Sequence, residues 1–340
     1  MKIRSKAPLR LGLAGGGTDL DSYCNAHTGL VLNSTISLYV HCTIEETDDD
    51  KVVFEALDID EKLVLDSDLK YEINGKMDLF KGVYNRIIEN YVKEPLSFKL
   101  TTYSDIASGS GLGGSSTLVV SIIKCFAEWL SLPLGDYDIA ILAYEIERED
   151  IKIVGGAQDM YSATFGGFNF MEFYDQKRVI VNPLRIKNNI INELEASLVL
   201  FFTNTTRSAS QIEDEKRRLL KKKKSLDAMH LIKKDAIKMK ESVLKGDVES
   251  ISKIIGNSWF NKKIVSKSVS NDYIDKVYDL AVKNGAKSGK VCGAGGGGFM
   301  FFMVDPLKKN QLIKVLNGLK YGKVINFKFI KEGTTSWKIH

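Results

Sequence analysis

A loop rich in glycine and serine, Ser108 to Ser116, constrains the fold more than any other part of the sequence. The segment before it, SFKLTTYS, alternates apolar and polar residues as a strand does, and apolar residues at helical spacing follow it. Glycines let backbone N–H groups approach an anion closely, and a helix N-terminus adds free donors and the positive end of a dipole. The pattern therefore predicts a phosphate-binding loop. Its residues are Ser108, Gly109, Ser110, Gly111, Leu112, Gly113, Gly114, Ser115 and Ser116.

The common phosphate-binding loops do not account for this one. It satisfies G-x-G-x-x-G at Gly109, Gly111 and Gly114. However, a second helical pattern follows where a dinucleotide-binding fold needs a strand with an acidic residue about 20 positions on. The Walker A pattern and the protein-kinase motifs H-R-D and D-F-G are absent. The loop is therefore consistent with a kinase that uses neither the Walker A nor the protein-kinase motifs. The alternatives are an NAD-dependent oxidoreductase and a sugar- or nucleotide-binding protein without catalysis.

A second glycine cluster ends an early strand in the segment PLRLGLAGGGTDL, residues 8–20. Asp19 is suited to accept hydrogen bonds from sugar hydroxyls, and Arg10 is suited to bind a carboxylate or a phosphate. A tight turn with a helix cap at Thr18 or Asp19 is the alternative interpretation.

A third glycine cluster, Gly293 to Gly298, precedes a buried strand. Such a cluster permits the close approach of a phosphate, of another loop or of a crossing helix. It is similar to the G-A-G-D of ribokinase-like enzymes, but Gly296 stands where their catalytic Asp would be. The ribokinase-like interpretation therefore lacks its base.

The rest of the chain alternates between strand-like and helical patterns. Strands are predicted within residues 28–46, 51–73, 160–174, 197–203 and 323–330. Helices are predicted over 79–92, 136–150 and 306–318, and one long helix carries Met229, Ile232, Ala236, Met239 and Val243 on a single face. The polar stretch 182–195 is predicted to join two domains, residues 1–185 and 195–340.

The net charge of +5 argues against nucleic acid as a partner, because such proteins concentrate their basic residues on one face. The one basic run, residues 216–224, has no aromatic residues among its lysines and arginines on which bases could stack. We interpret this run as a solvated helix face.

Neither a membrane span nor a secretory signal is expected. Arg10 interrupts the apolar stretch near the N-terminus, and the uncharged run 106–123 is rich in glycine, serine and threonine. The four cysteines stand far apart, which predicts buried, reduced thiols in a cytoplasmic protein and no zinc site. They are Cys24, Cys42, Cys125 and Cys292.

The three glycine clusters, in this order, resemble the three motifs of the GHMP kinases (galactokinase, homoserine, mevalonate and phosphomevalonate kinases). The resemblance covers nearly the whole chain. It implies an α+β fold, with a ribosomal-protein-S5-like N-terminal domain and a ferredoxin-like C-terminal domain. It also implies that ATP and Mg²⁺ bind in the cleft between the domains, and that the central loop wraps the ATP phosphates.

In this family a Glu on the helix after the loop binds Mg²⁺, and an Asp further on is the general base in several members. Glu147 and Asp159 match that pattern, and Ser115 is expected as a further metal ligand. Arg10 is expected to act with Asp159 in catalysis. Asp159 is predicted to lie between a Gly-Gly turn and a strand. The rivals for the metal are Glu145 and Glu149.

Details of the resemblance imply that the acceptor is a sugar that already carries a phosphate. Galactokinases have a Glu-His pair where this chain has Gly16 and Gly17, whereas AGGGTDL, GGFNFMEF and TNTTRSASQI resemble sugar-phosphate kinases of the family. The implied reaction phosphorylates the anomeric hydroxyl of a heptose 7-phosphate, and a free sugar such as fucose or galactose is the alternative acceptor. A homodimer is also considered. The residues expected at the substrate are Gly16, Gly17, Thr18, Asp19, Arg207, Gly295 and Gly296.

Overall fold

Two β-sheets organise the chain, which a computed structural model describes over residues 1–107, 109–205 and 209–339. The strands formed by these residues are β1 (Lys2–Ala14), β2 (Gly29–Glu46), β3 (Lys51–Ala56), β4 (Glu61–Asp66), β5 (Phe98–Ser104), β6 (Phe168–Phe173), β7 (Val179–Pro183), β8 (Leu198–Phe202), β9 (Ala286–Val291), β10 (Phe299–Val304), β11 (Lys323–Ile325) and β12 (Thr335–Ile339).

Helices cover the sheets and build the walls between them. They are α1 (Asp21–His27), α2 (Asp78–Ile87), α3 (Gly114–Trp129), α4 (Asp136–Tyr144), α5 (Gln158–Phe165), α6 (Asn188–Ser197), α7 (Ala209–Leu219), α8 (Lys223–Lys245), α9 (Val248–Val265), α10 (Asp272–Lys283) and α11 (Pro306–Asn317). Helices α2 and α4 each end in a π-helical segment, Ile88–Val92 and Glu145–Asp150 respectively, and a short 3₁₀ turn spans Lys267–Val269.

The larger sheet runs in the order β12-β1-β2-β5-β3-β4, and β6 and β7 extend it from β2. Strand β2 has 18 residues, which is long enough to pair with β6 through its first part and with β5 through its second. The smaller sheet runs β11-β8-β10-β9. Strands β3 and β5 pair in parallel, and the other pairings, such as β1 with β2, are antiparallel. These antiparallel sheets with helices packed on them confirm the predicted α+β class.

Sequence patterns explain the elements closest to the cleft. Strand β10, FMFFMV, is buried at every residue, as its unbroken apolar run predicts. The face of α8 that was predicted from helical spacing is buried at all five positions. Asn271 caps α10 by accepting a hydrogen bond from the N–H of Ile274 at 3.0 Å.

A shared hydrophobic core joins the two halves of the chain. One cluster lies wholly under the larger sheet, where Phe98 stacks edge-on against Phe126. A second cluster combines Leu11 and Leu32 of the larger sheet with Phe301 of the smaller sheet. Because its members come from both halves, burial of this cluster fixes the two walls of the cleft relative to each other.

Two predicted strands differ from the structure. Residues 160–165 belong to helix α5, so the strand predicted over 160–174 is wrong for its first part. Gly166, with a φ of +66°, ends that helix in a conformation that glycine adopts readily, and β6 begins two residues later. The strand predicted over 323–330 is limited to β11.

The sequence patterns also missed β12, which pairs with β1 and so returns the end of the chain to the larger sheet. The polar stretch 182–195 contains the end of β7 and most of α6. The division into residues 1–185 and 195–340 stays a prediction.

The central glycine loop packs backbone to backbone against the third glycine cluster. A Cβ atom on Gly111, whose φ is +83°, would lie 2.9 Å from the carbonyl oxygen of Cys292. A Cβ on Gly298 would lie 2.2 Å from the carbonyl oxygen of Ser110. Glycine is therefore required by close packing at both contact points. This is the loop-against-loop contact considered for the third cluster.

Substitution of Gly111 tests this packing. Gly111→Ala places a side chain in a left-handed conformation and against a carbonyl oxygen, so we expect the variant to lose about 1–3 kcal/mol of stability. Gly114→Ala is the matched control, because it lies in the first turn of α3 with no atom within 4 Å of its Cβ position. Thermal unfolding of both variants checks the prediction, and equal Tm values for the two would contradict it.

Candidate active site

A cleft of about 520 Å³ opens between the two halves of the chain. Its floor is formed by the central loop and by the first glycine cluster at the end of β1. Its walls come from the start of α5, from α7, α8 and α9, and from the end of β9. The three glycine clusters that the sequence separates by up to about 280 residues therefore meet at one cavity. Gly16, Gly17, Gly109, Gly111, Gly113, Gly114 and Gly293 line it.

An ion pair between Arg10 and Asp159 lies at the centre of the cleft. Nε of Arg10 donates to Oδ1 of Asp159 at 2.7 Å, and Nη2 lies 2.6 Å from the same oxygen. Nη1 of Arg10 donates to the carbonyl oxygen of Gly111 at 2.8 Å. Arg10 is almost fully buried, whereas Asp159 keeps about a fifth of its side chain exposed to the cleft. One arginine thus connects β1, α5 and the central loop.

Asp159 lies in the first turn of α5, so the prediction that it precedes a strand is wrong. The positive end of the helix dipole favours a carboxylate at this position. A Cβ on Gly113 would lie 3.1 Å from Cγ of Asp159, which shows that the carboxylate contacts the loop itself. The carboxylate predicted to be the general base and the loop predicted to bind phosphate are therefore in direct contact.

A second carboxylate, Glu147, lies fully buried beneath the loop. Its Oε1 accepts a hydrogen bond from Oγ of Ser115 and its Oε2 accepts one from Oγ of Ser116, both at 2.6 Å. Nη1 of Arg148 is 3.5 Å from Oε1. Helix α3 has Gly113 at its N-cap with no side-chain cap, so neither serine serves as the helix cap.

The neighbouring acids of Glu147 point elsewhere. Glu145 lies 3.7 Å from Arg86, and Glu149 forms an ion pair with Lys177. Both side chains are partly exposed, unlike Glu147. Of the three candidate metal ligands, only Glu147 contacts the serines of the central loop.

The polar residues of the first glycine cluster stabilise its turn. Thr18 is fully buried, and its hydroxyl lies 2.8 Å from the carbonyl oxygen of Gly15 and 3.0 Å from that of Leu30. Asp19 accepts hydrogen bonds from the N–H of Gly17 at 3.0 Å and from the N–H and the side-chain amide of Gln158 at 3.1 and 3.0 Å. Burial raises the pKa of the Asp19 carboxyl.

These contacts revise the predicted substrate contacts. The hydroxyl of Thr18 is buried and bonded to backbone carbonyl oxygens, and its contact with a substrate stays a prediction. Asp19 borders the cleft, but its carboxylate is already bonded to three N–H groups, and it anchors the turn to the residue preceding Asp159. Gly295 and Gly296 pack against Val269, and the N–H of Gly296 donates to its carbonyl oxygen at 2.7 Å. Of that cluster, Gly293 and Ala294 reach the cleft instead.

Several side chains at the cleft were not found from the sequence. Among them are Arg148, Gln158, Lys262 and Lys290. The only sequence feature that could have identified Gln158 is its position next to Asp159. The two lysines carried no signal, because lysine on a helix or a strand is normally solvated. Leu112, predicted in the phosphate loop, is buried in the shared core.

A smaller apolar cavity of about 240 Å³ adjoins the loop. It shares Gly114 and Ser115 with the main cleft, and its other walls combine apolar side chains with Asp58, Glu61, Asp78, Thr102 and Ser104. These walls include Met77, Leu79, Phe80, Ile106 and Leu118. An apolar ligand group joined to an anion on the loop would fit here.

Two predicted residues, Ser108 and Arg207, lie outside the described residues. Across the ranges that the structure describes, no three His, Cys, Asp or Glu side chains form a group able to hold a metal ion. In the same ranges, no helix has the length and apolar composition of a membrane span. The four cysteines are buried and free, which confirms the prediction of buried thiols.

Comparison with known proteins gives consistent matches along the chain. Residues 78–167 match the model for the GHMP kinases N terminal domain, and residues 239–320 match that for GHMP kinases C terminal. The chain is 60% identical over 337 residues to the D-glycero-alpha-D-manno-heptose 7-phosphate kinase of Campylobacter jejuni, and 99% of each protein is covered. It is 25% identical to a galactokinase of Pyrococcus furiosus, with 92% of this chain and 91% of the galactokinase covered.

A solved structure agrees with the sequence matches. The crystal structure of a D-glycero-D-manno-heptose 1-phosphate kinase from Bacteroides thetaiotaomicron superposes with a TM-score of 0.85 at 48% identity, and 99% of both chains is covered. With both family models matched and a full-length relative at 60% identity, the chain belongs to the GHMP kinases, ATP-dependent phosphotransferases that act on an alcohol group.

Proposed function

We propose that this kinase transfers the γ-phosphate of ATP to the anomeric hydroxyl of D-glycero-D-manno-heptose 7-phosphate, giving the 1,7-bisphosphate for GDP-heptose synthesis. The observation that carries the proposal is the contact of the Arg10–Asp159 ion pair with the central loop. The 60% identity with the Campylobacter heptose 7-phosphate kinase supports the choice of acceptor.

The cleft and the apolar cavity together suit ATP. The N–H groups of the loop and the N-terminus of α3 would bind the phosphates. The adenine would enter the apolar cavity, which begins at Gly114 and Ser115 and so lies within one ribose of the loop. Stacking against Phe80 and Leu118 would shield the base from water.

The residues beneath the loop fit a magnesium ion. Mg²⁺ is usually bound by one or two carboxylates together with substrate phosphates and waters, and Glu147 with Ser115 supplies such a set. When bound, the ion neutralises negative charge on the β- and γ-phosphate oxygens. The hydroxyl of Ser116 fixes the second oxygen of Glu147 and so orients the carboxylate.

Asp159 is the proposed general base. Its Oδ1 already accepts a hydrogen bond from Nε of Arg10 and pairs with Nη2, so Oδ2 is the oxygen assigned to the acceptor hydroxyl. Arg10 fixes the direction of the carboxylate and places positive charge beside the loop that binds the phosphates. A general base contributes about 10²–10⁴ to the rate of such transfers.

The acceptor is proposed to lie over Gly16 and Gly17. These glycines line the cleft and add no side chain to it. Asp19 and Gln158 hold this floor against the start of α5. Arg207, in the sequence TTRS, is proposed to bind the distal phosphate through its guanidinium and adjacent hydroxyls.

The names of the two heptose kinases differ in which phosphate the acceptor already carries, the 7-phosphate or the 1-phosphate. An acceptor comparison resolves this point and tests the function. We expect higher kcat/KM for heptose 7-phosphate than for heptose 1-phosphate, free heptose, galactose or fucose, measured by ADP release. Higher kcat/KM for a free sugar would contradict the proposal and favour a fucokinase- or galactokinase-like enzyme.

The same assay tests Arg207. A charge-assisted contact to phosphate contributes about 1.5–3 kcal/mol, so Arg207→Ala is expected to raise KM for heptose 7-phosphate about 10- to 100-fold. KM for ATP should stay unchanged. Arg217→Ala, at an exposed position of α7, is the control. An unchanged KM for the sugar phosphate would remove Arg207 from the site.

The metal assignment predicts a graded magnesium dependence. Glu147→Gln and Ser115→Ala should raise the Mg²⁺ concentration for half-maximal activity by about 10-fold or more, because each removes a proposed ligand. Ser116→Ala should raise it less, since it loses only a hydrogen bond to Glu147. Glu149→Gln, which breaks the pair with Lys177, is the control. Equal Mg²⁺ dependence in all variants would leave the loop as a backbone-only anion site.

A cytoplasmic location and assembly as a homodimer stay predictions from the sequence.

A further inference from the structure

Two lysines, Lys290 buried and Lys262 partly exposed, line the cleft but not the apolar cavity. Lys262 comes from α9, and its Nζ donates to the carbonyl oxygens of Val291 and Gly293 at 3.2 and 2.5 Å. Lys290 comes from β9, and its Nζ donates to the carbonyl oxygen of Leu13 at 3.0 Å. Both line the cleft. An ammonium group has three donors, so these contacts leave donors on each lysine for a ligand.

The two ammonium groups have no carboxylate partner among the described residues. Arg10 is paired with Asp159, and Lys216 is paired with one oxygen of Glu213 at 2.9 Å. Glu213 acts on Lys262 and Asp235 on Lys290 without forming an ion pair, and each acid has one oxygen with no hydrogen-bond partner among the described residues. The lysines therefore place two positive charges without an ion-pair partner in one partly closed cavity.

This arrangement is costly unless an anion enters. Burial lowers the pKa of Lys290 to about 8, and burial together with the neighbouring Lys216 and Lys290 lowers the pKa of Lys262 well below its usual range. A bound anion would offset the repulsion between the two ammonium groups. A phosphate monoester carries about −1.5 to −2 charges at neutral pH, which matches two lysines.

The position of the pair indicates which phosphate it receives. Lys290 is bonded to the backbone just before the first glycine cluster, the proposed acceptor floor. Ser258, one turn before Lys262 on α9, and Ile232 of α8 line the same end of the cleft, and Met229 of α8 contacts Gly17. Neither lysine lines the proposed adenine cavity. Lys262 is bonded to Gly293, which packs against Gly111, so the two lysines lie between the central loop and the acceptor floor.

We propose that Lys262 and Lys290 contribute to the subsite for the phosphate that the acceptor sugar already carries. This inference rests on the proposed function and deepens it. The lysines bind the phosphate as two point charges, and their hydrogen bonds to backbone carbonyls fix them in place before the substrate arrives. The γ-phosphate of ATP is the alternative anion that the two lysines could bind. The experiment distinguishes the sugar phosphate from the γ-phosphate.

The test measures kcat and KM for heptose 7-phosphate, for the same heptose without phosphate and for ATP. In Lys262→Met and Lys290→Met, KM for heptose 7-phosphate should rise about 10- to 100-fold. KM for ATP and kcat/KM for the free heptose should change less than about 2-fold. Lys263→Met is the control, because Lys263 is the next residue on α9 and lies on Trp259 near Asp275, outside the cleft.

Two results would overturn the inference. A larger rise in KM for ATP than for the sugar phosphate would assign the lysines to the nucleotide. An unchanged ratio of kcat/KM between the two acceptors would leave them a structural role only. If Lys262→Met does not fold, Lys262→Gln removes the charge while keeping an N–H donor for the carbonyls. Failure of the wild-type enzyme to prefer heptose 7-phosphate would instead contradict the proposed function.

Discussion

The ion pair between Arg10 and Asp159 is the interaction on which the rest of the site depends. A buried guanidinium is tolerated only when it is paired and hydrogen-bonded, and Arg10 obtains both conditions from residues more than 100 positions away. The pair forms only when β1, α5 and the central loop are all in place. Folding of the larger sheet therefore assembles the proposed base and the phosphate loop in one step.

Buried carboxylates position the other parts of the site around this pair. Glu147 holds the start of α3 through two serine hydroxyls, and Asp19 holds the first glycine turn against Gln158. The second half of the chain then closes the cleft through the shared core and contributes the lysines. The halves are thus complementary: the first supplies the proposed chemistry, and the second supplies the proposed recognition of the acceptor.

Features with a local cause were predictable from the sequence. The glycine loop, helix α3, the buried strand β10 and the face of α8 follow from periodicity and from the conformational freedom of glycine. Features with a tertiary cause were not. A strand is predicted over residues 160–165, because a short apolar segment does not distinguish a strand from a buried helix. These residues belong to helix α5. Asp19 is predicted to be a sugar ligand, because the sequence does not show that residues 17 and 158 donate hydrogen bonds to its carboxylate. Lys262 resembles any solvated lysine on a helix.

A double-mutant cycle on kcat tests the central claim, that Arg10 and Asp159 act as one unit. Asp159→Asn should lower kcat by about 10²–10⁴, and Arg10→Met in that background should cost little more, because the group it orients is already lost. Cooperative thermal unfolding above the assay temperature would show that the variants remain folded. The account predicts a coupling free energy above about 1 kcal/mol. Losses that add within about 0.5 kcal/mol would show that the two residues act independently, and would contradict it.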